Sequence, residues 1–316
     1  MEDNFIMDNI ILMDGKKVSQ EFLQTQKHID NTLRPPCLCI ITVGNDMASK
    51  VYIRNKIKAC QQCNINVIQS QFDINVTFRT LEFYIKELNS SPNVDGIIIQ
   101  QPLPKQLKGI EQLVLPEKDV DGFTNQNLGY TLTNQSQGLQ ACTPQGIMYL
   151  LKYYDVPLEG KTVVIIGRSN IVGKPLIGLL LQENATVISC NSYTQNLTHF
   201  TSQADVLITA IGKPKMISMG GNLLDNCYCI VDVGMNKDEN GKLCGDVDFE
   251  SVYDSWRNSQ LVDKDFKTHY ITPVPGGVGP MTVAMLIHNV NLAYHRNINK
   301  QLLIKDRGSI SNGYDG

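Results

Sequence analysis

Four residues in the first half of the chain are of types that can move a proton or anchor a polar ligand: Tyr52, Lys56, Gln100 and Asp121. Tyr52 and Lys56 are four apart, which on a helix puts an aromatic ring and an amine on one face. Gln100 closes the apolar run GIII, and Asp121 sits in the loop KDVDGF. Strand ends and the loops after them are where open α/β sheets hold ligands. An amine can act as a proton carrier near pH 7 only where its surroundings favour the neutral form. On spacing alone, Tyr52 and Lys56 also suit an ordinary solvated helix face. The company of Gln100 and Asp121 raises the catalytic reading. Asp119 and Asp121 resemble the start of a calcium loop, but the later oxygen ligands and the closing Glu are missing.

A second cluster surrounds Gly167. The run TVVIIG ends at this glycine, and Gly173, six residues on, opens a helical stretch. Such a turn suits an anion such as a pyrophosphate. Ser169 stands where GxGxxG has its second glycine, and Lys174 is followed by Pro175 instead of Ser or Thr, so this is not a Walker A loop. A plain strand-to-helix turn is the competing reading. The next strand, TVISC, runs into Asn191 and Ser192 without the carboxylate that commonly holds a ribose hydroxyl about 20 residues past the glycines. Arg168 offers a planar fork of donors and Ser192 a hydroxyl, which together favour NADP over NAD. A surface ion pair is the alternative fate of Arg168.

The elements that position these residues alternate in type. Apolar spacing predicts a helix from Lys16 to Leu33 and a strand at Leu38–Gly44. A helix from Ser49 to Cys63, a strand at Val67–Phe72, a helix at Thr77–Leu88 and a strand at Asp95–Gln100 follow. Thr143 reads as an N-cap with Pro144 at the first helical position. Beyond it TVVIIG, TVISC, VLITAI and CIVDVG are short buried strands of a second, more regular doubly wound unit. Val283, Leu286, Val290 and Ala293 form one face of a long final helix. The fold class is therefore α/β in two domains: an N-terminal α/β domain and a Rossmann-like, doubly wound parallel sheet. The expected boundaries are 1–146 with the final helix 282–298, then 147–281, with 299–316 a mobile polar tail.

Composition narrows the function classes. Twenty-eight Lys and Arg against 31 Asp and Glu leave a net charge of -3, with no basic excess to grip nucleic acid. No apolar run reaches the roughly 20 residues of a membrane helix. The start, MEDNFIMDNIILMDGKK, is acidic where a targeting peptide is basic, so the cytosol is expected. Nine cysteines, an odd number scattered from Cys37 to Cys244, read as reduced thiols. Cys60 and Cys63 form a CxxC without a second pair at zinc spacing, and Cys37/Cys39 and Cys227/Cys229 read as core positions.

SKVYIRNK, DGIIIQQPLP, PEKDVDGF, CTPQG, GRSNIVGKP, DVGMN, GDVDF and TPVPGGVGPMT follow one another in that order. Together they closely resemble the bifunctional methylenetetrahydrofolate dehydrogenase/methenyltetrahydrofolate cyclohydrolase family, over about Ile10 to Arg296. The resemblance implies two α/β domains flanking a catalytic cleft, the last helix returning to the first domain, and a homodimer formed through the nucleotide domain. It implies NADP-dependent oxidation of 5,10-methylenetetrahydrofolate to the methenyl form, then hydrolysis to 10-formyltetrahydrofolate. Lys56 matches the catalytic lysine, Gln100 its hydrogen-bonding glutamine, Tyr52 the aromatic lying on the folate and Asp121 the carboxylate holding the pterin. Ile99, Gln101 and the loop Pro275, Gly276, Gly277, Val278 and Gly279 complete the implied substrate set. Gly167, Arg168, Ser169, Ser192, Gly212, Val233 and Thr282 make the implied NADP set, and no metal is implied.

Two departures stand out. Asn191 occupies the family's usual His, and Tyr193 a position where Lys is frequent, which weakens the case for NADP. Formate ligation, found in longer relatives, is not expected. Competing readings are another two-domain Rossmann dehydrogenase acting on a small acid, which would not require Tyr52, Lys56, Gln100 and Asp121 together, and a catalytically dead nucleotide-binding module, which would be expected to lack Lys56 or Asp121. A Tyr/Lys pair at this spacing also marks short-chain dehydrogenases, but there it follows the dinucleotide fold, whereas here it precedes it.

Overall fold

The structure, a computed structural model, describes residues 10–27, 32–218, 224, 226–260 and 268–311. In chain order its first elements are β1 (Ile10–Leu12), α1 (Gly15–Thr25), β2 (Cys37–Val43), α2 (Met47–Gln62), β3 (Asn66–Phe72), α3 (Phe78–Ser90), β4 (Gly96–Ile99), α4 (Asn125–Leu132) and α5 (Cys142–Tyr153). There follow β5 (Thr162–Ile166), α6 (Gly173–Gln182), β6 (Thr186–Cys190), α7 (Leu197–Thr201), β7 (Val206–Thr209), β8 (Cys229–Asp232), β9 (Asn236–Lys237), β10 (Leu243–Cys244), α8 (Phe249–Gln260), β11 (His269–Ile271) and α9 (Val278–Ser311). They form two compact units. One holds the described residues up to Glu21 with Thr131–Asn134 and Thr143–Thr282; the other holds Phe22–Tyr130, Gln135–Cys142 and Val283 onward.

The second of these units is built on a parallel sheet ordered β3-β2-β4. Its central strand, CLCIITV, is buried at every residue except Thr42, as a near-continuous apolar run should be when both faces are covered. Helix α2 starts where Asp46 caps it, accepting Ser49 N and Ser49 Oγ at 2.7 Å each. Thr77 caps α3 through Thr80 N at 3.1 Å, and Leu81, Ile85 and Leu88 turn one helix stripe into the core with Cys39, Ile41 and Ile97.

The other unit carries a six-stranded, all-parallel sheet ordered β1-β11-β8-β7-β5-β6. Val164, Ile166, Leu207, Ile230, Val252 and Trp256 make its core. Here the domain span differs from the expected 1–146. The three residues of β1 pair with β11, Ile10 opposite His269 and Leu12 opposite Ile271, and Met13 N donates to Ile271 O at 2.8 Å. Only that sheet satisfies the backbone of so short a strand.

Other element ends move as well. Helix α1 stops at Thr25 instead of Leu33, with Gln26 N turning back to Leu23 O; residues 28–31 lie outside the described residues. Helix α5 begins at Cys142, and Thr143 spends its hydroxyl on Thr282 Oγ1 at 3.1 Å. Helix α9 runs from Val278 to Ser311, so much of the expected mobile tail is helical; residues 312–316 lie outside the described residues. The polar composition there serves hydrogen bonds, since Gln301 Nε2 donates to Pro92 O and Asn297 Oδ1 at 3.0 Å each. All nine cysteines are free thiols, and Cys60 and Cys63 are fully buried. Among the described residues no helix is long and apolar enough to cross a membrane.

Candidate active site

Lys56, only 9% exposed on α2, donates from Nζ to Gln100 Oε1 at 3.2 Å. Gln100 extends the ladder beyond β4, its N–H bonded to Ile41 O at 2.9 Å, so the strand register delivers the amide to the lysine. Its own Nε2 donates to Gln101 O at 2.9 Å, which turns Oε1 toward Lys56. Ser49 Oγ donates to the same Gln101 carbonyl at 3.2 Å. Asp121 Oδ1 lies 3.8 Å from Lys56 Nζ.

The two aspartates of KDVDGF differ in kind. Asp119 builds the turn: it accepts Phe123 N at 3.1 Å, Thr124 N at 2.8 Å and Asn127 Nδ2 at 2.9 Å. That is a loop clamp, and the calcium reading of this pair gains nothing from it. Asp121 has no hydrogen-bond donor on its carboxylate among the described residues. Burial pushes its carboxyl up from the usual range, the charge of Lys56 pulls it down, and Asp119 adds to the rise. A buried carboxylate with unused acceptors can take paired N–H donors from a ligand. Gly122 lets the loop close: at φ +72°, a Cβ there would stand 2.5 Å from Ala141 N.

Two residues missed in the sequence support this loop. Cys142 Sγ donates to Val120 O at 3.2 Å, and Asn289 of α9 donates to Val120 O and Gln140 O at 2.9 Å each. Burial raises the Cys142 thiol well above its ordinary range, which makes it packing and not a nucleophile. Asn289 lay outside the apolar stripe used to recognise the final helix, so nothing local marked it. Tyr52 is 40% exposed, its hydroxyl pushed upward by partial burial. Ile99, by contrast, packs among Ile41, Ile97 and Leu107, so its side chain serves the core.

In the other unit the Gly167 turn is closed by glycine on glycine. Gly167 adopts φ +136°, and a Cβ on Gly173 would fall 2.2 Å from Gly167 O, so the first turn of α6 lies directly on the loop. Val172, at the N-cap of α6, supplies no side-chain acceptor, and Ser169 Oγ accepts Val172 N at 3.1 Å. Arg168 and Ser192 are exposed, and no carboxylate follows β6. The uncapped helix start, the exposed guanidinium and the missing ribose carboxylate fit a dinucleotide with a 2′-phosphate.

Two carboxylates shape the neighbouring turns. Asp246 accepts Ile211 N at 2.6 Å, Gly212 N at 3.0 Å, Lys213 N at 2.9 Å and Asn236 Nδ2 at 2.8 Å. Asp232 accepts Gly234 N, Asp246 N, Val247 N and Thr209 Oγ1, yet burial still lifts its carboxyl to about 6. The DVGMN and GDVDF motifs thus carry structural clamps, with Asp246 fixing Gly212. Val233 N is bonded to Thr209 O at 2.9 Å, and the Thr282 hydroxyl is shared with Thr143 and Val278 O. In the loop Pro275–Gly279, Gly276 O accepts Lys16 N at 2.9 Å, and a Cβ on Gly277 would meet Pro273 O at 2.7 Å. The glycine at 277 is therefore already required by packing inside its own unit. Among the described residues no cluster of His, Cys, Asp and Glu could hold a metal ion.

Two family models match the chain: the tetrahydrofolate dehydrogenase/cyclohydrolase catalytic domain over residues 13–121 and its NAD(P)-binding domain over residues 141–298. The bifunctional protein FolD of Campylobacter hominis is 44% identical over 284 residues, 88% of this chain and 95% of that protein. Its namesake from Bacillus subtilis is 42% identical over 284 residues, 88% of this chain and 95% of that protein. The crystal structure of the bifunctional FolD methylenetetrahydrofolate dehydrogenase/cyclohydrolase from Campylobacter jejuni superposes with a TM-score of 0.83 at 39% identity, covering 91% of this chain and 99% of that one. The Trypanosoma brucei enzyme, solved with NADP and an inhibitor, gives 0.80 at 29% identity over 92% of this chain and 98% of that one. With a model for each half and relatives above 40% identity along most of the sequence, the chain belongs to the tetrahydrofolate dehydrogenase/cyclohydrolase family.

Proposed function

We propose that the protein oxidises 5,10-methylenetetrahydrofolate with NADP and hydrolyses the methenyl product to 10-formyltetrahydrofolate, with Lys56 handling protons, Gln100 holding it, Asp121 anchoring the pterin and Tyr52 supplying the aromatic face. The observation that carries this reading is the buried Lys56 amine between the Gln100 amide at 3.2 Å and the Asp121 carboxylate at 3.8 Å. Asp121, with its free acceptors, takes the pterin's amino and ring N–H groups, and so fixes the one-carbon bridge against Lys56. Hydrolysis needs a water deprotonated as it attacks the bridge and a ring nitrogen protonated as its bond to carbon breaks. A single positioned amine can serve both transfers in turn. Tyr52, one helical turn away, presents half-exposed ring area for the folate.

NADP, when bound, supplies the oxidant for the first step. Arg168 and Ser192 hold its 2′-phosphate, while Gly167, Ser169 and Gly212 shape the loops along the dinucleotide; Val233 and Thr282 complete the proposed set. The loop Pro275–Gly279, with Gln101, completes the folate set. We read the protein as cytosolic and homodimeric through the nucleotide unit, in keeping with its nine free thiols and with β6 standing, among the described residues, at one edge of the six-stranded sheet. The direct test is an absorbance assay with 5,10-methylenetetrahydrofolate and each nicotinamide cofactor, following methenyl formation after acid quenching. Methenyl should form with NADP. No methenyl with either cofactor would refute the activity.

A further inference from the structure

β5 and β6 lie side by side with Ile166 opposite Cys190, and Gly167 N donates to Cys190 O at 2.9 Å. The residues that leave these strands are therefore neighbours by construction. The loop after β6 is pinned within four residues. Asn191 N donates to Thr194 Oγ1 at 2.9 Å, Tyr193 N to Asn191 Oδ1 at 3.0 Å, and Thr194 N to Asn191 O at 2.9 Å. Pinned in this way, the loop holds Tyr193 out with 80% of its surface exposed. Packing does not explain a ring so exposed. What it meets is Arg168, whose guanidinium carbon lies 5.5 Å from the ring centroid.

The chemistry of this contact favours an anion site. A carboxylate partner would occupy the N–H donors of Arg168 that a phosphate needs. An aromatic ring engages the face of the guanidinium and leaves the donors at its edge free. No acidic group pairs with Arg168 among the described residues. Holding the fork in place beforehand also reduces the ordering cost of a bidentate phosphate contact.

We propose that Tyr193 is a positioning residue for Arg168, and through it a determinant of preference for a nucleotide bearing a 2′-phosphate. The inference rests on the assignment of Arg168 to that phosphate.

The test is calorimetric titration of NADP, NAD, 2′,5′-ADP and 5′-AMP into the parent, Tyr193→Phe, Tyr193→Ala, Arg168→Ala and the double variant. Because Tyr193 is so exposed, none of its variants threatens folding. Tyr193→Ala should weaken NADP and 2′,5′-ADP about two- to fivefold while leaving NAD and 5′-AMP unchanged. Tyr193→Phe should match the parent, and the double variant should be no worse than Arg168→Ala. Equal losses for all four ligands in Tyr193→Ala would make the ring a base-stacking surface and overturn the proposal. So would an unchanged Tyr193→Ala alongside an Arg168→Ala that does lose the 2′-phosphate preference. If Arg168→Ala itself spares that preference, the phosphate assignment fails, and this inference with it.

Discussion

Lys56 Nζ lies 3.8 Å from Asp121 Oδ1, near enough to feel its charge and beyond hydrogen-bonding reach, while Gln100 Oε1 accepts from it at 3.2 Å. The amine is thus held by a neutral group and left without a tight ion pair. Lys56→Met, which keeps the stem and removes the amine, should lower cyclohydrolase activity by roughly 10²- to 10⁴-fold and dehydrogenase activity less. Gln100→Ala should move both activities in the same direction. Both assays on variants checked by thermal melting decide it; a folded Lys56→Met protein hydrolysing methenyltetrahydrofolate at the parent rate would remove Lys56 from the mechanism.

In its proposed role Asp121 takes the pterin as a carboxylate, and burial raises its carboxyl above the ordinary aspartate range. Folate affinity should therefore fall on acidification, starting at a higher pH than an exposed aspartate would give. Asp121→Asn should bind weakly at every pH and lack that dependence. Titration of a folate analogue between about pH 5 and 8 into both proteins checks this. A parent and variant with parallel pH profiles would place the dependence elsewhere.

Asp232 has its carboxyl raised from 3.8 to about 6. A raised pKa means that the folded state keeps a proton the unfolded chain has released. Its stabilising contribution is complete below the unfolded value, declines by about 1.4 kcal/mol per pH unit through the window and is gone above about 6. The stability difference between the parent and Asp232→Asn should shrink as pH rises from about 4 to about 6 and then level off. Denaturant melts at several pH values give that difference directly, and a flat line would contradict the assignment.

Asp95 is almost fully buried and accepts four hydrogen bonds from three residues: two of 2.7 Å from Arg34, one from Cys37 N at 2.9 Å and one from Asn297 Nδ2 at 2.8 Å. Asp95→Ala strands all of them and should cost roughly 3 to 5 kcal/mol. Limited proteolysis should then cut α9 early, at positions the parent protects.

Much of this was legible in the sequence because the informative residues sit next to strong local patterns. Strands such as TVVIIG and GIII are apolar runs ended by glycine or glutamine, so Gly167 and Gln100 were placed by their strands. Tyr52 and Lys56 were placed by helical spacing. What escaped were relationships between distant segments. β1 is three residues long and exists only through β11, and Asn289 reaches Val120 across 169 positions. Helix α9 outran its apolar stripe because polar residues such as Asn297 and Gln301 find partners near Pro92. Periodicity cannot see bonds of that kind.

Helix α9 follows every strand of both sheets in the chain, and its Asn289, Tyr294 and Asn297 fasten the Asp121 loop, the Arg34 carbonyl and Asp95. A ribosome that has added Thr282 has already supplied every strand of the six-stranded sheet. The three-stranded sheet, though its own strands were finished at Ile99, still lacks these fastenings. The unit whose three strands are complete at Ile99 must therefore wait for α9, and a chain cut between Thr282 and Asn289 keeps every strand of the six-stranded sheet while the loop that supports the lysine site stays untied.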